Sequence, residues 1–204
     1  MENLAQKSPG KAITSISIST LLLLVLLTGA ILRFRGLLWG EYQYLHPDER
    51  FLVWVGSDIE PVGSLAEYWD TQNSSLNPHN RGHGFYVYGT LPMFLSRYLV
   101  EWVYGHSGFN EMTNVGRALS ALMDLLTVLT VYFIGNRAYN RWVGLIGSAF
   151  SAFAVLQIQH AHFFTMDSFT TFFAVLAIYF AVRVAREKDP EDDSGDIEGE
   201  NKVT

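Results

Sequence analysis

The sequence predicts an all-α integral membrane protein with about four transmembrane helices and a long external first loop that contains short juxtamembrane helices. Three observations predict this class. Of the 204 residues, 49% are hydrophobic and only 17% are charged, whereas average globular chains contain about 25% charged residues. Four long stretches carry almost no charge, and the segments between them differ in their arginine content.

The first predicted span is residues 12–34, a run long enough to cross about 30 Å of hydrocarbon. Lys7 and Lys11 precede this run. A cleaved signal peptide would also combine positive charge with an apolar core. Here the apolar run is long, no small-residue cleavage site follows it, and Arg33 and Arg35 come next. We therefore expect an uncleaved helix.

Three further spans are predicted at 115–135, 141–159 and 163–186. The first of these carries Arg117 and Asp124, whose spacing of seven places both on one helix face about two turns apart. Ionisable groups inside a span usually pair with another group or line a polar cavity. Both a structural interhelical pair and a functional role remain open for these two residues.

The third span contains a stripe of small side chains. Gly144, Ser148 and Ala152 recur every four residues. Such a stripe lets another helix approach closely.

An amphipathic segment, 91–104, lies between the first and second spans. Its apolar side chains recur at helical spacing, while Pro92, Arg97 and Glu101 interrupt the apolar stretch. Aromatic-rich amphipathic helices of this kind lie in the membrane interface. If this segment crosses the bilayer instead, the chain has five spans.

The distribution of positive charge predicts the topology, because cytoplasmic loops are enriched in lysine and arginine. The loop 136–141 holds two arginines and no acid, and Arg183 and Arg186 end the fourth span. The stretch 38–114 holds nine acids and three arginines, as expected of a translocated loop. We expect four spans in the plasma membrane of a prokaryote, with residues 1–11 and the C-terminus in the cytoplasm.

The net charge of −6 lies entirely in the tail 187–204, which has eight acids and two bases. This tail is predicted to be disordered, and it leaves a neutral membrane domain at 12–186. A nucleic-acid partner is not expected, because the chain has no strongly basic patch. The absence of cysteine excludes disulfides and thiolate metal sites.

The segment HPDER, residues 46–50, follows the first span on the predicted outer face. Pro47 favours an extended His46 and can start a helical turn. A carboxylate beside apolar surface can act as a general base, which makes Asp48 and Glu49 candidates. Alternatively, Asp48 caps the turn and Glu49 faces water.

A second polar segment of the outer loop, 76–89, is rich in His, Asn and Gly. His79 and His83 are candidates to hold a metal, or to grip a phosphate together with Arg81. A simple polar turn is the alternative. Asp167 lies at the outer start of the fourth span, where a helix N-terminus favours an acid.

These pieces, taken in order, resemble the N-terminal part of the phospholipid-carrier-dependent glycosyltransferases of family 39. This group of the GT-C superfamily includes protein O-mannosyltransferases and lipid A aminoarabinose transferases. The resemblance covers residues 12–186. Its pieces are HPDER, NPHNRGHGFYVYGTLP, VGRALSALMDLLTVLTVYFIGNRAYNR and HAHFFTMDSFTTFFAVLAIYFAVR.

The resemblance implies a lipid-linked sugar donor, a polyprenyl-phosphate sugar, used at the outer face of a lipid membrane. It implies that Asp48 is the general base and that Glu49 supports it. Asp167 would line the same cavity. Cationic donors must hold the leaving phosphate; the candidates are Arg81 and Arg117, with His79 and His83 as weaker ones. No cofactor is expected; because some relatives use a divalent metal, a metal is possible, but none is assigned.

Members of the family are usually several times longer than this chain. We therefore expect the front portion of a larger enzyme, or a chain that works with a partner, or an inactive relative. The alternative function is a non-catalytic membrane assembly subunit that contributes helices to a partner chain.

Overall fold

The computed structural model describes residues 17–186, and every regular element in this range is helical. The elements are α1 (Ile18–Phe34), α2 (Pro47–Asp58), α3 (Leu65–Trp69), a 3₁₀ turn (Pro78–Arg81), α4 (Thr90–Tyr104), α5 (Phe109–Ala138), α6 (Arg141–Phe153), α7 (Val155–Ala161) and α8 (Met166–Ala185). The predicted all-α membrane class is confirmed. The predictions for Lys7, Lys11 and the tail 187–204 lie outside the described residues.

Two helices are long and apolar enough to cross a membrane, namely α5 with 30 residues and α8 with 20. A third candidate span is the pair α6 and α7, which is bent by 59°. Helix α1 is a shorter apolar helix of 17 residues. Within residues 17–186, length and composition therefore give two or three candidate spans, and the four-span topology stays a prediction.

Helix α5 is longer at its start than the predicted span 115–135, because it begins at Phe109. The added turn is polar, but its Met112 and Thr113 are fully buried against the outer part of the chain. Tertiary packing extends this helix beyond the apolar stretch that hydropathy detects.

The predicted third span, 141–159, is divided in two. Helix α6 ends at Phe153, and Ala154 takes an extended conformation with φ −66° and ψ 113° before α7 begins. Backbone carbonyl oxygens at this break accept from the guanidinium of Arg33 on α1.

The predicted stripe of small residues is buried, with Gly144 against α5 and Ala152 close to Gly29 of α1. Gly144, Ser148 and Ala152 are all buried. A β-carbon added at Gly144 would lie 2.5 Å from the carbonyl oxygen of Tyr132, so only glycine allows the two helix backbones to approach this closely.

The predicted outer loop, 38–114, is ordered and shares one apolar core with the membrane helices. Helix α2 contributes Leu52, Val53 and Val55 to this core, and α4 contributes Met93 and Val100. These contacts attach the start of α2, which carries HPDER, to the membrane helices.

Helix α4 is amphipathic and begins one residue before the predicted segment 91–104. It buries Ser96 and Arg97, while Leu91 and Trp102 are exposed. The inward arginine donates from Nε to the carbonyl oxygen of Ile59 at 2.9 Å. An outward apolar face suits a helix that contacts lipid, and the interfacial position stays a prediction.

Candidate active site

The two acids of HPDER occupy different environments. Helix α2 starts as predicted, with an extended His46 followed by Pro47 in the first turn. Glu49 points inward and is fully buried. Its Oε1 accepts from Arg117 Nε at 2.6 Å and from the backbone N–H of Phe164 at 2.8 Å, and its Oε2 accepts from Arg117 Nη2 at 2.7 Å.

Arg117 is held entirely by protein groups. Besides its two bonds to Glu49, Nη1 donates to the carbonyl oxygen of Leu37 at 2.6 Å, and the residue is only 1% exposed. The pair joins α2, α5, the α1–α2 connection and the turn before α8. This geometry gives Arg117 a structural role and leaves its guanidinium little access to a phosphate.

Asp124 pairs with Arg33 on α1, through a bond of 2.5 Å from Nε to Oδ2. The expected interhelical pairing therefore exists twice, because Arg117 and Asp124 each have their own partner. The sequence pattern indicated that Asp124 needs a partner, but not which arginine would serve. Arg33 looked like a flanking charge at the end of an apolar run, yet it is fully buried.

Asp48 lies in the same helical turn as Glu49 but is half-buried, and within the described residues it forms no ion pair. The hydroxyl of Tyr88 lies beside it. The pKa of Tyr88 is raised, mainly by burial, then by the charge of Asp48 and a hydrogen bond to it, and by the charge of Asp167. This hydroxyl therefore stays protonated at neutral pH and faces both carboxylates.

Tyr88 is a further residue of this site, and no sequence pattern distinguishes it. Its ring packs against Phe51 and Tyr86, with centroid distances of 6.1 and 6.0 Å. The hydroxyl of Tyr86 donates to the carbonyl oxygen of Gly89 at 3.0 Å, which fixes the segment that carries Tyr88. Many tyrosines lie in this loop, so only the fold distinguishes this one.

A cavity of about 280 Å³ lies beside Asp167, between the membrane helices and α7. Six of its seven lining residues have polar side chains: the lining comprises Asp124, Leu156, Gln157, His160, Asp167, Ser168 and Thr171. The Nδ1 atom of His160 is buried and has no hydrogen-bond partner among the described residues. Carboxylate, hydroxyl, amide and imidazole groups of this kind can bind the hydroxyl groups of a sugar.

The structure separates Arg81 of the second polar segment from Asp48. Arg81 donates from Nε to the carbonyl oxygen of Asp58 at 2.8 Å and forms an ion pair with Glu60. Asp58 ends α2, ten residues after Asp48, which corresponds to about 15 Å along the helix.

The two histidines of that segment lie near Arg81. The ring of His83 is buried, 2.8 Å from the Oδ2 atom of Asp58, whereas His79 is exposed. Among residues 17–186, no group of three or more His, Asp or Glu side chains is arranged to hold a metal ion.

The connection that leads into HPDER is conformationally strained. Glu41, Tyr42 and Tyr44 have positive φ values of 45°, 62° and 50°, a region that side chains other than glycine rarely adopt. Two hydrogen bonds to α5 hold the segment, from the Tyr42 hydroxyl to Asn114 and from the Tyr44 hydroxyl to Asn110, each 3.2 Å long. Strain of this kind clusters at functional sites.

Comparison with known proteins bears on the second part of the chain. The family model described as dolichyl-phosphate-mannose-protein mannosyltransferase matches residues 95–192, which include Arg117, Asp124 and Asp167 but not HPDER. No match was found among curated proteins or among solved structures. Over residues 95–192 the chain is therefore similar to the dolichyl-phosphate-mannose-protein mannosyltransferases, which confirms the resemblance to GT-C glycosyltransferases predicted from its sequence.

Proposed function

We propose that this chain is, or forms part of, a membrane glycosyltransferase that takes a sugar from a polyprenyl-phosphate carrier and transfers it to an acceptor hydroxyl at the outer membrane face. The family match supports a GT-C glycosyltransferase. The polyprenyl-phosphate donor, the outer face and the catalytic residue are our proposals.

The observation that carries the proposal is the difference between the two carboxylates of HPDER. Glu49 is buried in an ion pair, whereas Asp48 is half-buried and forms no ion pair within the described residues. Glu49 uses its oxygens on Arg117 and Phe164. Asp48 instead lies beside the Tyr88 hydroxyl, whose pKa is also raised by the charge of Asp167, and Asp167 lines the cavity. A base must reach both the substrate and water, and of the two acids Asp48 meets this condition.

In the proposed reaction, Asp48 removes the proton from the acceptor hydroxyl as the acceptor oxygen bonds to C1 of the sugar. The bond between C1 and the phosphate oxygen breaks, and polyprenyl phosphate leaves with the electron pair. Tyr88 orients the Asp48 carboxylate, and Asp167 with the other polar cavity groups binds sugar hydroxyls. Glu49 acts indirectly, because its bonds to Arg117 fix the first turn of α2.

The role of Asp48 is tested by sugar transfer in membranes that contain the full chain. Radiolabelled mannose on polyprenyl phosphate serves as the donor, and the label transferred to membrane acceptors is counted. We expect Asp48→Asn to reduce the rate by about 10²–10⁴-fold, the usual contribution of a general base. Asp70→Asn is the matched control, because Asp70 is an exposed acid of the same loop whose side chain, among residues 17–186, hydrogen-bonds only to Asn73.

Two outcomes count against the proposal. Asp48→Asn with an unchanged rate would remove Asp48 from the role of base. Absence of transfer in the chain's native membranes, which also contain any partner chain, would contradict the proposed activity itself.

A further inference from the structure

The break between α6 and α7 has no cause in its own sequence. Residues 141–161 would form a continuous helix of about 31 Å, which is long enough to cross the bilayer. Sharp kinks occur at proline, at glycine and serine pairs, at π-bulges, or where a group inserts into the hydrogen-bond ladder. Residues 148–161 contain neither proline nor glycine, yet the bend is 59°.

The inserted group is the guanidinium of Arg33. Its Nη1 donates to the carbonyl oxygen of Ala152 at 2.9 Å, and its Nη2 donates to that of Ser151 at 3.3 Å. In a continuous helix these two carbonyls would accept from the backbone N–H groups of Val155 and Leu156. Arg33 therefore takes the acceptors that the next helical turn would need.

Charge favours this arrangement. The C-terminal end of α6 carries partial negative charge, which attracts a cation. A buried arginine also needs a counter-charge, and Asp124 supplies it through the 2.5 Å bond to Nε. A fourth bond, from Nη1 to the carbonyl oxygen of Gly29 at 3.2 Å, anchors the side chain to its own helix.

The break between α6 and α7 determines which residues line the cavity beside Asp167. Because the chain turns at Ala154, α7 lies across the cavity and contributes Gln157 and His160 to its lining. The amide oxygen of Gln157 also accepts from the hydroxyl of Ser151 at 3.0 Å, across the break. Without the turn, these residues would continue along the axis of α6.

We propose that Arg33 is a positioning residue that breaks the third membrane segment and so places α7 over the cavity. The catalytic meaning of that cavity rests on the proposed function, whereas the cause of the break does not. Arg33 acts through α7 and not on the substrate, because it is fully buried and its three guanidinium nitrogens each donate to a buried or half-buried protein oxygen.

The test uses a single cysteine at Gln157 in the full chain, which has no native cysteine. A membrane-impermeant maleimide is added to both faces of open membranes, and the labelling rate is measured. We expect the double variant Arg33→Met with Asp124→Leu to slow labelling by about tenfold or more, because the straightened helix places the thiol in hydrocarbon. The double change avoids an unpaired buried charge.

Two controls distinguish the loss of Arg33 from a general effect of mutation on labelling. Arg35→Met removes an exposed arginine at the end of the same helix and keeps Arg33, Asp124 and the carbonyl bonds, so labelling at Gln157→Cys should match that of the unmodified background. Gln72→Cys, at an exposed position of the outer loop, should be labelled equally in every background. If the double variant does not accumulate, Arg33→Lys is measured instead, because a single ammonium cannot replace the guanidinium fork; slower labelling is again expected.

Labelling of Gln157→Cys at the unmodified rate in the double variant, or in Arg33→Lys where that replaces it, would overturn the inference. The labelling needs no sugar transfer. A chain that labels as expected but transfers no sugar therefore contradicts the proposed function and leaves the role of Arg33 intact.

Discussion

At the scale of single residues, neighbouring acids in one helical turn have different properties because the fold directs them to different surroundings. Glu49 faces α5 and is neutralised by Arg117. Asp48 faces Tyr88 and Asp167. The sequence could identify HPDER as a candidate site, since dense acids after a span are unusual, but it could not divide the roles of the two acids. That division depends on Arg117 and Phe164, which are far away in the chain.

Removal of the buried negative charge of Glu49 should lower the free energy of unfolding. Glu49→Gln leaves Arg117 with an unmatched charge, and breaking a buried pair in this way costs about 3–5 kcal/mol. Denaturant unfolding in detergent micelles measures the change. The control is Glu60→Gln, which breaks the partly exposed pair with Arg81 and should cost about 0–1 kcal/mol. Equal losses in the two variants would contradict a structural role for Glu49.

At the scale of elements, the apolar lengths of α5 and α8 are readable from hydropathy, whereas the division of 141–159 is not. Local sequence favours a continuous helix there, and the break depends on a side chain from α1. Hydropathy also fails to detect the start of α5. The polar residues near Met112 are helical because they pack on the predicted outer loop. Sequence patterns report the preference of a segment and not the contacts that override it.

Close packing at the turn before α8 gives a prediction at this scale. A β-carbon at Gly116 would lie 2.3 Å from the ring of Phe164. We expect Gly116→Ala to lower the free energy of unfolding by about 1–3 kcal/mol, the usual cost of overpacking. The turn carries the N–H that binds Glu49, so the same variant should also slow sugar transfer.

The matched control for this prediction is Gly147→Ala. Its added carbon meets only Val131, at 3.4 Å. Because alanine favours a helix by up to about 1 kcal/mol over glycine, this variant should be neutral or stabilising. If Gly116→Ala were as stable as Gly147→Ala, the packing described for α5 and the turn would be wrong.

At the scale of the whole molecule, the proposed topology brings Asp48, Tyr88 and Asp167 together on one membrane face. Residues 38–114 would lie outside, and the connection between α5 and α6 would lie in the cytoplasm. The exposed apolar face of α4 agrees with an outer unit that rests on lipid. The distribution of lysine and arginine predicts this arrangement without reference to any contact.

Cysteine labelling of intact cells tests the topology. Gln72 and Tyr139 are exposed positions in the outer loop and in the α5–α6 connection. An impermeant maleimide should label Gln72→Cys in intact cells and Tyr139→Cys only after permeabilisation. Labelling of both positions from outside would contradict the predicted orientation.

Chemical rescue is the measurement that tests the central claim most directly. Asp48→Ala removes the carboxylate and leaves space for a small acid, and sugar transfer from polyprenyl-phosphate mannose is followed with increasing formate. If Asp48 is the general base, transfer falls by about 10²–10⁴-fold and formate restores part of it in proportion to its concentration. Transfer by Asp48→Ala at the unmodified rate, with no response to formate, would contradict the account.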